Sequence, residues 1–228
     1  VTRIEALEVT VNAPIVSFRN PLYQGIQVGL PCPPPSTVGG MLAATAGAWD
    51  QVPENTRFAM TFTAQGSGTD LETYHPAATK AAYRNATIKD REFLTNVTLT
   101  VWLTTDLEMW ESAMRVPVWP LRLGRSQDLA TGRTRRVPLT HGGTGTQGHA
   151  LIPHTTAPDP RTIHNGEQLQ LPTATTLDRS RTTWDTYRYA RTGTDATLTA
   201  DYTTDAGQAL ILLPPVHPTH AAAKDPHV

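Results

Sequence analysis

The chain has 228 residues, of which 39% are hydrophobic and 17% charged, with a formal net charge of −1, a length that suits one large or two small domains with a real core. No apolar run is long enough to span a bilayer, and the opening VTRIEALEVTV lacks a basic region followed by an apolar one. The expectation is a soluble, cytoplasmic protein that makes no membrane contact. Cys32 is the only cysteine, which excludes an intrachain disulfide and assigns the thiol to small apolar filling beside the prolines.

Residues 3 to 12 alternate, with Leu7, Val9 and Val11 in the apolar set, and read as a strand. From Pro21 to Trp49 an aromatic-bearing loop passes through Pro33, Pro34 and Pro35 into a small-residue helix with Met41, Leu42 and Ala46 on one face. Ser36 or Thr37 is expected to cap that helix, and its free N–H groups beside Arg19 and Tyr23 form an anion site. Residues 57 to 64 read as a second strand, 93 to 103 as the strongest strand of the chain and 107 to 114 as a short helix, with a fourth strand near Val137. Between the second and third strands, residues 66 to 92 are too polar and basic for a core. The order βαββαβ predicts an α+β fold with a ferredoxin-like domain over 1–140. Residues 141–228 follow as a smaller β-rich part with strand-like pieces at 183–189 and 208–213 and a loose tail from Pro214.

The charge is unevenly distributed. Arg115, Arg122, Arg125, Arg133, Arg135 and Arg136 face one acid, Asp128, giving 6 − 1 = +5 between residues 115 and 136, and Lys80, Arg84, Lys89 and Arg91 against Asp90 give 4 − 1 = +3 between 80 and 91. Both stretches are candidate phosphate-tracking surfaces. With 16 arginines and 3 lysines, forked contacts to phosphate and stacking on bases are favoured.

Other patterns point to duller roles. Gly143-Thr144-Gly145-Thr146-Gln147-Gly148 fits G-x-G-x-x-G with Glu167 downstream, but no apolar strand precedes it and no amphipathic helix follows, so it reads as a turn. No Walker-type lysine follows the glycines. His141, His149, His154 and His164 match no metal-ligand spacing. No metal, cofactor or catalytic residue is therefore expected, and Ser36 is read as a cap rather than a nucleophile.

Four segments in order resemble a known family: Phe18-Arg19-Asn20-Pro21, Pro34-Pro35-Ser36-Thr37-Val38-Gly39-Gly40-Met41-Leu42, Arg91-Glu92-Phe93-Leu94, and Leu123-Gly124-Arg125-Ser126-Gln127-Asp128-Leu129-Ala130. The chain is similar over its first two-thirds, to about His141, to the CRISPR-associated (Cas) protein family five, of the repeat-associated RNA-binding superfamily. The resemblance implies an RNA-recognition-type domain, a projecting hairpin "thumb" at about 66–92 and a β-rich C-terminal part. It further implies a subunit that hooks the 5′ handle of a CRISPR RNA in a type I surveillance complex, with subtype I-B favoured. Such a subunit would touch the backbone and large subunits and reach target DNA only through the complex.

On this reading Arg19, Arg122 and Arg125 hold phosphates with Ser36, Thr37 and Ser126, Tyr23 stacks a base, and Lys80, Arg84 and Arg91 track RNA along the thumb. Trp119 either stacks a base or packs under the thumb, and Arg125 either binds RNA or pairs with Asp128. One branch of the resembling family cleaves precursor CRISPR RNA without metal, using Tyr, Lys and His. Tyr23 could contribute, but no lysine here precedes a histidine, so binding without cleavage is expected. The remaining alternative is a protein-interaction scaffold whose basic surface faces an acidic partner.

Overall fold

The computed structural model describes residues 2–23, 28–74, 87–154 and 166–222; Lys80 and Arg84 lie outside them. The fold is built on β1 (Arg3–Val16), the alternating segment extended four residues beyond its expected end. It lies between β3 (Thr87–Leu103) and β4 (Thr131–His141), both antiparallel to it. β2 (Phe58–Tyr74) pairs along the whole of β3, from Phe58–Leu103 to Tyr74–Thr87. Two short strands, β10 (Tyr202–Thr204) and β11 (Ala209–Leu210), extend the other edge, giving a six-stranded antiparallel sheet in the order β11-β10-β4-β1-β3-β2.

The period-two pattern sends Leu7, Val9 and Val11 into the principal core with Phe58, Met60, Phe62, Val97, Leu99, Val101 and Leu103. Helices α1 (Pro35–Ala46) and α2 (Leu107–Arg115) contribute Val38, Met41, Leu42 and Trp110 to the same core. The opposite sheet face starts apolar, at Ala6, Ala59, Trp102, Leu139 and Leu210, and then turns polar along Thr10 and Asn12 of β1. At the boundary Glu8, 8% exposed, accepts hydrogen bonds from Trp102 Nε1 (3.1 Å) and Arg135 Nε (2.6 Å).

Neither Ser36 nor Thr37 caps α1. Pro34 is the cap residue, makes no side-chain bond, and Pro35 opens the helix, because proline's fixed φ preorganises a first turn whose N–H is not needed. Thr37 N–H bonds Pro34 O at 2.9 Å, so the helix start has fewer free donors than an anion site requires. Gly39 does keep the helix thin, but for the protein itself: a Cβ there would lie 2.6 Å from Val216 Cγ2 and 3.1 Å from Trp49.

Val216 belongs to the expected loose tail, which is instead docked through residue 222. Leu213, Val216 and Ala221 are buried, and a short helix α3 (Thr219–Ala222) closes the described chain. His217 Nε2–H donates to Trp49 O at 3.0 Å, and the two rings meet edge to face at 5.5 Å.

The remaining strands are β5 (Thr144–Thr146), paired with β9 (Thr197–Thr199), and β6 (Ile152–Pro153), which joins β8 (Thr182–Tyr189) and β7 (Glu167–Thr175) in a second sheet. The G-x-G-x-x-G segment, expected as a turn, instead forms strand β5 over Thr144–Thr146, with a turn only where it ends at Gly148. No core boundary falls at residue 140: Leu171, Tyr187 and Tyr189 share the principal core, and only a satellite cluster (Ala150, Ile152, Leu198, Ala200, Ala209, Ile211) is wholly C-terminal.

Phe62 joins the two parts. Its ring meets Phe18 at 5.8 Å and Tyr189 at 6.5 Å, and Tyr189 Oη–H donates to Phe62 O at 2.8 Å. Phe62→Ala should lower unfolding free energy by about 3–5 kcal/mol, measured by urea titration. Cys32 is fully buried, and burial pushes its thiol well above the ordinary range. Little thiolate then exists at pH 8, so a thiol-directed reagent should label the native protein slowly and the urea-unfolded chain at once.

Candidate nucleic-acid interface

The site is assembled where β1 ends at Val16 and the chain turns through Ser17 and Phe18 to Arg19. Asp128, 3% exposed, comes up beside this exit from the loop after α2. Its carboxylate accepts Ser17 N–H (3.1 Å), Arg125 N–H (3.0 Å) and the Arg125 guanidinium at Nε (3.0 Å) and Nη2 (2.7 Å). A buried carboxylate is tolerable only with such multiple donors and an opposing charge. Leu123 N–H to Asp128 O (3.0 Å) and Asp128 N–H to Arg125 O (3.1 Å) close the loop into a turn.

Gly124 makes that closure possible. Its φ is +105°, and a Cβ would lie 3.0 Å from Ser17 O and 3.1 Å from Asp128 Oδ2. Leu121 and Leu123 are buried beneath it. The segment LGRSQDLA is therefore a clip that fastens the 121–130 loop to the end of β1.

A second tie comes from the β2–β3 ladder. Glu92 Oε2 accepts Gly29 N–H at 2.9 Å, and Glu92 O accepts Ser17 Oγ–H at 2.7 Å. Beyond Phe18 the chain pairs briefly with itself, Leu30 N–H to Phe18 O (2.7 Å) and Asn20 N–H to Val28 O (2.8 Å). Arg19 and Tyr23 are thus presented, both exposed, on a loop anchored at its ends, and a cavity of about 380 Å³ lies between Gly29, Gly68 and Phe93.

The expected cations are not all free. Arg91 is buried and ion-paired with Asp70 and with Glu72 (3.2 Å) across the ladder, so its charge is held inside the protein rather than offered to RNA. Over 66–92 the four bases Lys80, Arg84, Lys89 and Arg91 are matched by Asp70, Glu72, Asp90 and Glu92, which makes the arm 4 − 4 = 0 rather than positive. The ladder places Asp70 opposite Arg91 and Glu72 opposite Lys89, acids that lie outside residues 80–91.

In the +5 stretch Arg125 is held by Asp128. Arg135 is tied to Glu8, and Arg136 pairs with Glu5 (2.9 Å) and Glu111 (2.8 Å); those hydrogen bonds hold both guanidiniums above their ordinary pKa. Arg115, Arg122 and Arg133 are exposed and have no ion pair among the described residues. Ser126 is exposed on the clip turn beside them. Ser36 and Thr37 lie in the first turn of α1, and Trp119, although 59% exposed, donates its Nε1–H to Gly47 O at 3.0 Å. From the sequence, Arg125 takes an individual role and Arg133 only a place in the +5 stretch; strand alternation, applied from Asn12 across to β4, is the signal that separates Arg133 from the tied arginines. Asp128→Ala, which leaves Arg125 unpaired and two backbone donors unsatisfied, should cost about 3–5 kcal/mol of stability by denaturant titration, and Arg125→Ala, which strips the buried carboxylate of its counter-charge, should destabilise as well.

A family model described as "CRISPR-associated protein (Cas_Cas5)" matches residues 6–184, so the likeness runs well past His141. Among solved structures, a chain from a "CRISPR RNA-guided surveillance complex" superposes with a TM-score of 0.52 at 15% identity, covering 95% of this chain and 97% of that one. A "CRISPR protein from Archaeoglobus fulgidus" superposes at 0.50 with 13% identity, covering 91% and 99%. At these identities the structural likeness is one of fold. No curated protein sequence matches. The family match over most of the chain, on a framework whose motif residues are its ties, is decisive: the chain belongs to the CRISPR-associated protein family five.

Proposed function

We propose that the protein is an RNA-binding subunit of a CRISPR effector complex of the type I surveillance class, subtype I-B, that holds the 5′ handle of the CRISPR RNA. On this reading the β4-β1-β3-β2 core with its two helices is a ferredoxin-like domain. The 66–92 arm is a thumb that meets backbone subunits, the large subunit docks nearby, and target DNA is reached through the complex.

The observation that carries the proposal is the anchored ledge: Arg19 and Tyr23 on a loop tied at Ser17 and Gly29, next to the clip that bears exposed Arg122 and Ser126. Single-stranded RNA is held by cations on its phosphates and by side chains that stack or bond its unpaired bases. A loop fixed at both ends loses little further entropy when it closes on a ligand. The protein acts as a binder, not a nuclease, because the base-and-cation pair that 2′-OH attack requires is not formed around Tyr23 by any Lys–His neighbours in the sequence.

The test uses an RNA oligonucleotide carrying a CRISPR repeat, intact and cut to its 5′ handle, in chelator. The purified chain should bind the handle and leave the intact repeat uncut. Arg122→Ala should weaken binding about tenfold, as for a lost charge-assisted contact, and reduce the salt slope by about 0.7. Specific cleavage abolished by Tyr23→Phe would replace the binder by a nuclease, and failure to bind either RNA would leave the scaffold reading.

A further inference from the structure

The polar sheet face carries an open groove of about 620 Å³ at the place where β2 and β3 leave the central sheet. Its polar lining is supplied by Asn12, Gln65, Asn96, Thr98 and Thr131, backed by Leu129, and it contains no charged residue. Asn12 and Thr131 are paired across β1 and β4, and Asn12 and Thr98 across β1 and β3. Gln65 and Asn96 stand between the ladder pairs Ala64–Val97 and Gly66–Thr95. Thr98 Oγ1–H donates to Asn12 Oδ1 at 2.9 Å, which orients the amide and leaves its NH₂ as a donor toward solvent.

Two of the unpaired arginines adjoin the groove's lining residues along β4 and the clip, though neither lines it. Arg133 lies two residues beyond Thr131 on the same face of β4, opposite Thr10. Arg122 faces Leu129 across the clip in an isolated bridge. Exposed cations adjoining an uncharged surface of amides and hydroxyls suit a nucleotide, with charge for phosphates nearby and neutral donors and acceptors for a base edge. A carboxylate in the lining would repel the backbone, and none is present.

Resting on the RNA-binding reading above, we infer that this groove is a base-discriminating subsite. It would take one unpaired base of single-stranded RNA against Leu129 and read its edge with the Gln65, Asn96 and Asn12 amides, while Arg122 and Arg133 hold the flanking phosphates. Asn and Gln amides present a donor beside an acceptor and so distinguish base edges, whereas the arginines bind every sequence alike.

The experiment measures fluorescence anisotropy of labelled eight-nucleotide homopolymer RNAs (A, C, G and U) with the full chain. Wild type should show a spread of about tenfold in affinity across the four, a single edge contact's worth of discrimination. Gln65→Ala combined with Asn96→Gly, glycine being compatible with the φ of +47° at Asn96, should collapse that spread while retaining binding. Arg133→Ala should weaken all four equally.

A spread that survives in the double variant, or a uniform loss there, overturns the subsite while leaving RNA binding intact. No binding of any RNA by wild type overturns both readings. Because a variant can fail through misfolding, wild type is also photo-crosslinked to RNA bearing 4-thiouridine. Adducts are expected on peptides containing Gln65, Asn96 or Thr131, and adducts confined to other peptides overturn the assignment.

Discussion

The Asp128 carboxylate is the constraint on which the candidate interface depends. It is buried, and every donor around it comes from a segment that must be held in place: the exit of β1 through Ser17, and the turn of the clip through Arg125. An unpaired carboxylate there would be expensive, so its partners are drawn in together. Arg19, Tyr23, Arg122 and Leu129 take their positions from that closure. Arg125 thereby becomes a positioning residue.

Electrostatics follow the same logic across the sheet. Strand pairing places Asp70 and Glu72 beside Arg91, Glu8 beside Arg135 and Glu5 beside Arg136, and α2 brings Glu111 to Arg136 as well. What remains for a polyanion is the subset that makes no ion pair among the described residues, Arg19, Arg115, Arg122 and Arg133. A near-neutral chain can present a cationic ledge because its acids are placed where they tie strands and loops together. The 66–92 segment, neutral in sum, carries no excess charge for phosphate tracking.

The strand alternations around Leu7–Val11 and Phe93–Leu103 and the proline-led start of α1 were legible because period and turn chemistry are local properties. The identity of the cap was not: Pro34–Pro35 and Ser36–Thr37 both offer a start, and the fixed φ of Pro35 opens the helix before Ser36 can cap it. The docked tail was hidden because Pro214–His217 is rich in residues that also mark loops, and its partner Trp49 is distant in sequence. Within the site, the motifs were visible as motifs, but their chemistry was inverted. Arg91-Glu92-Phe93-Leu94 and the clip are ties, as Glu92 with Gly29 and Asp128 with Ser17 make plain, and only cross-strand register separates tied arginines from free ones.

On the proposed RNA-binding role, the clip, the Arg19–Tyr23 loop and the arginines without ion pairs form one RNA-contacting surface. Amide hydrogen exchange on the full chain with and without handle RNA tests it most directly. The account predicts RNA-dependent protection in residues 17–30 and 119–133, with the α1–tail contact at Gly39 and Val216 unchanged. Protection confined to β7–β8 and the C-terminal strands, with none at the clip, would contradict it.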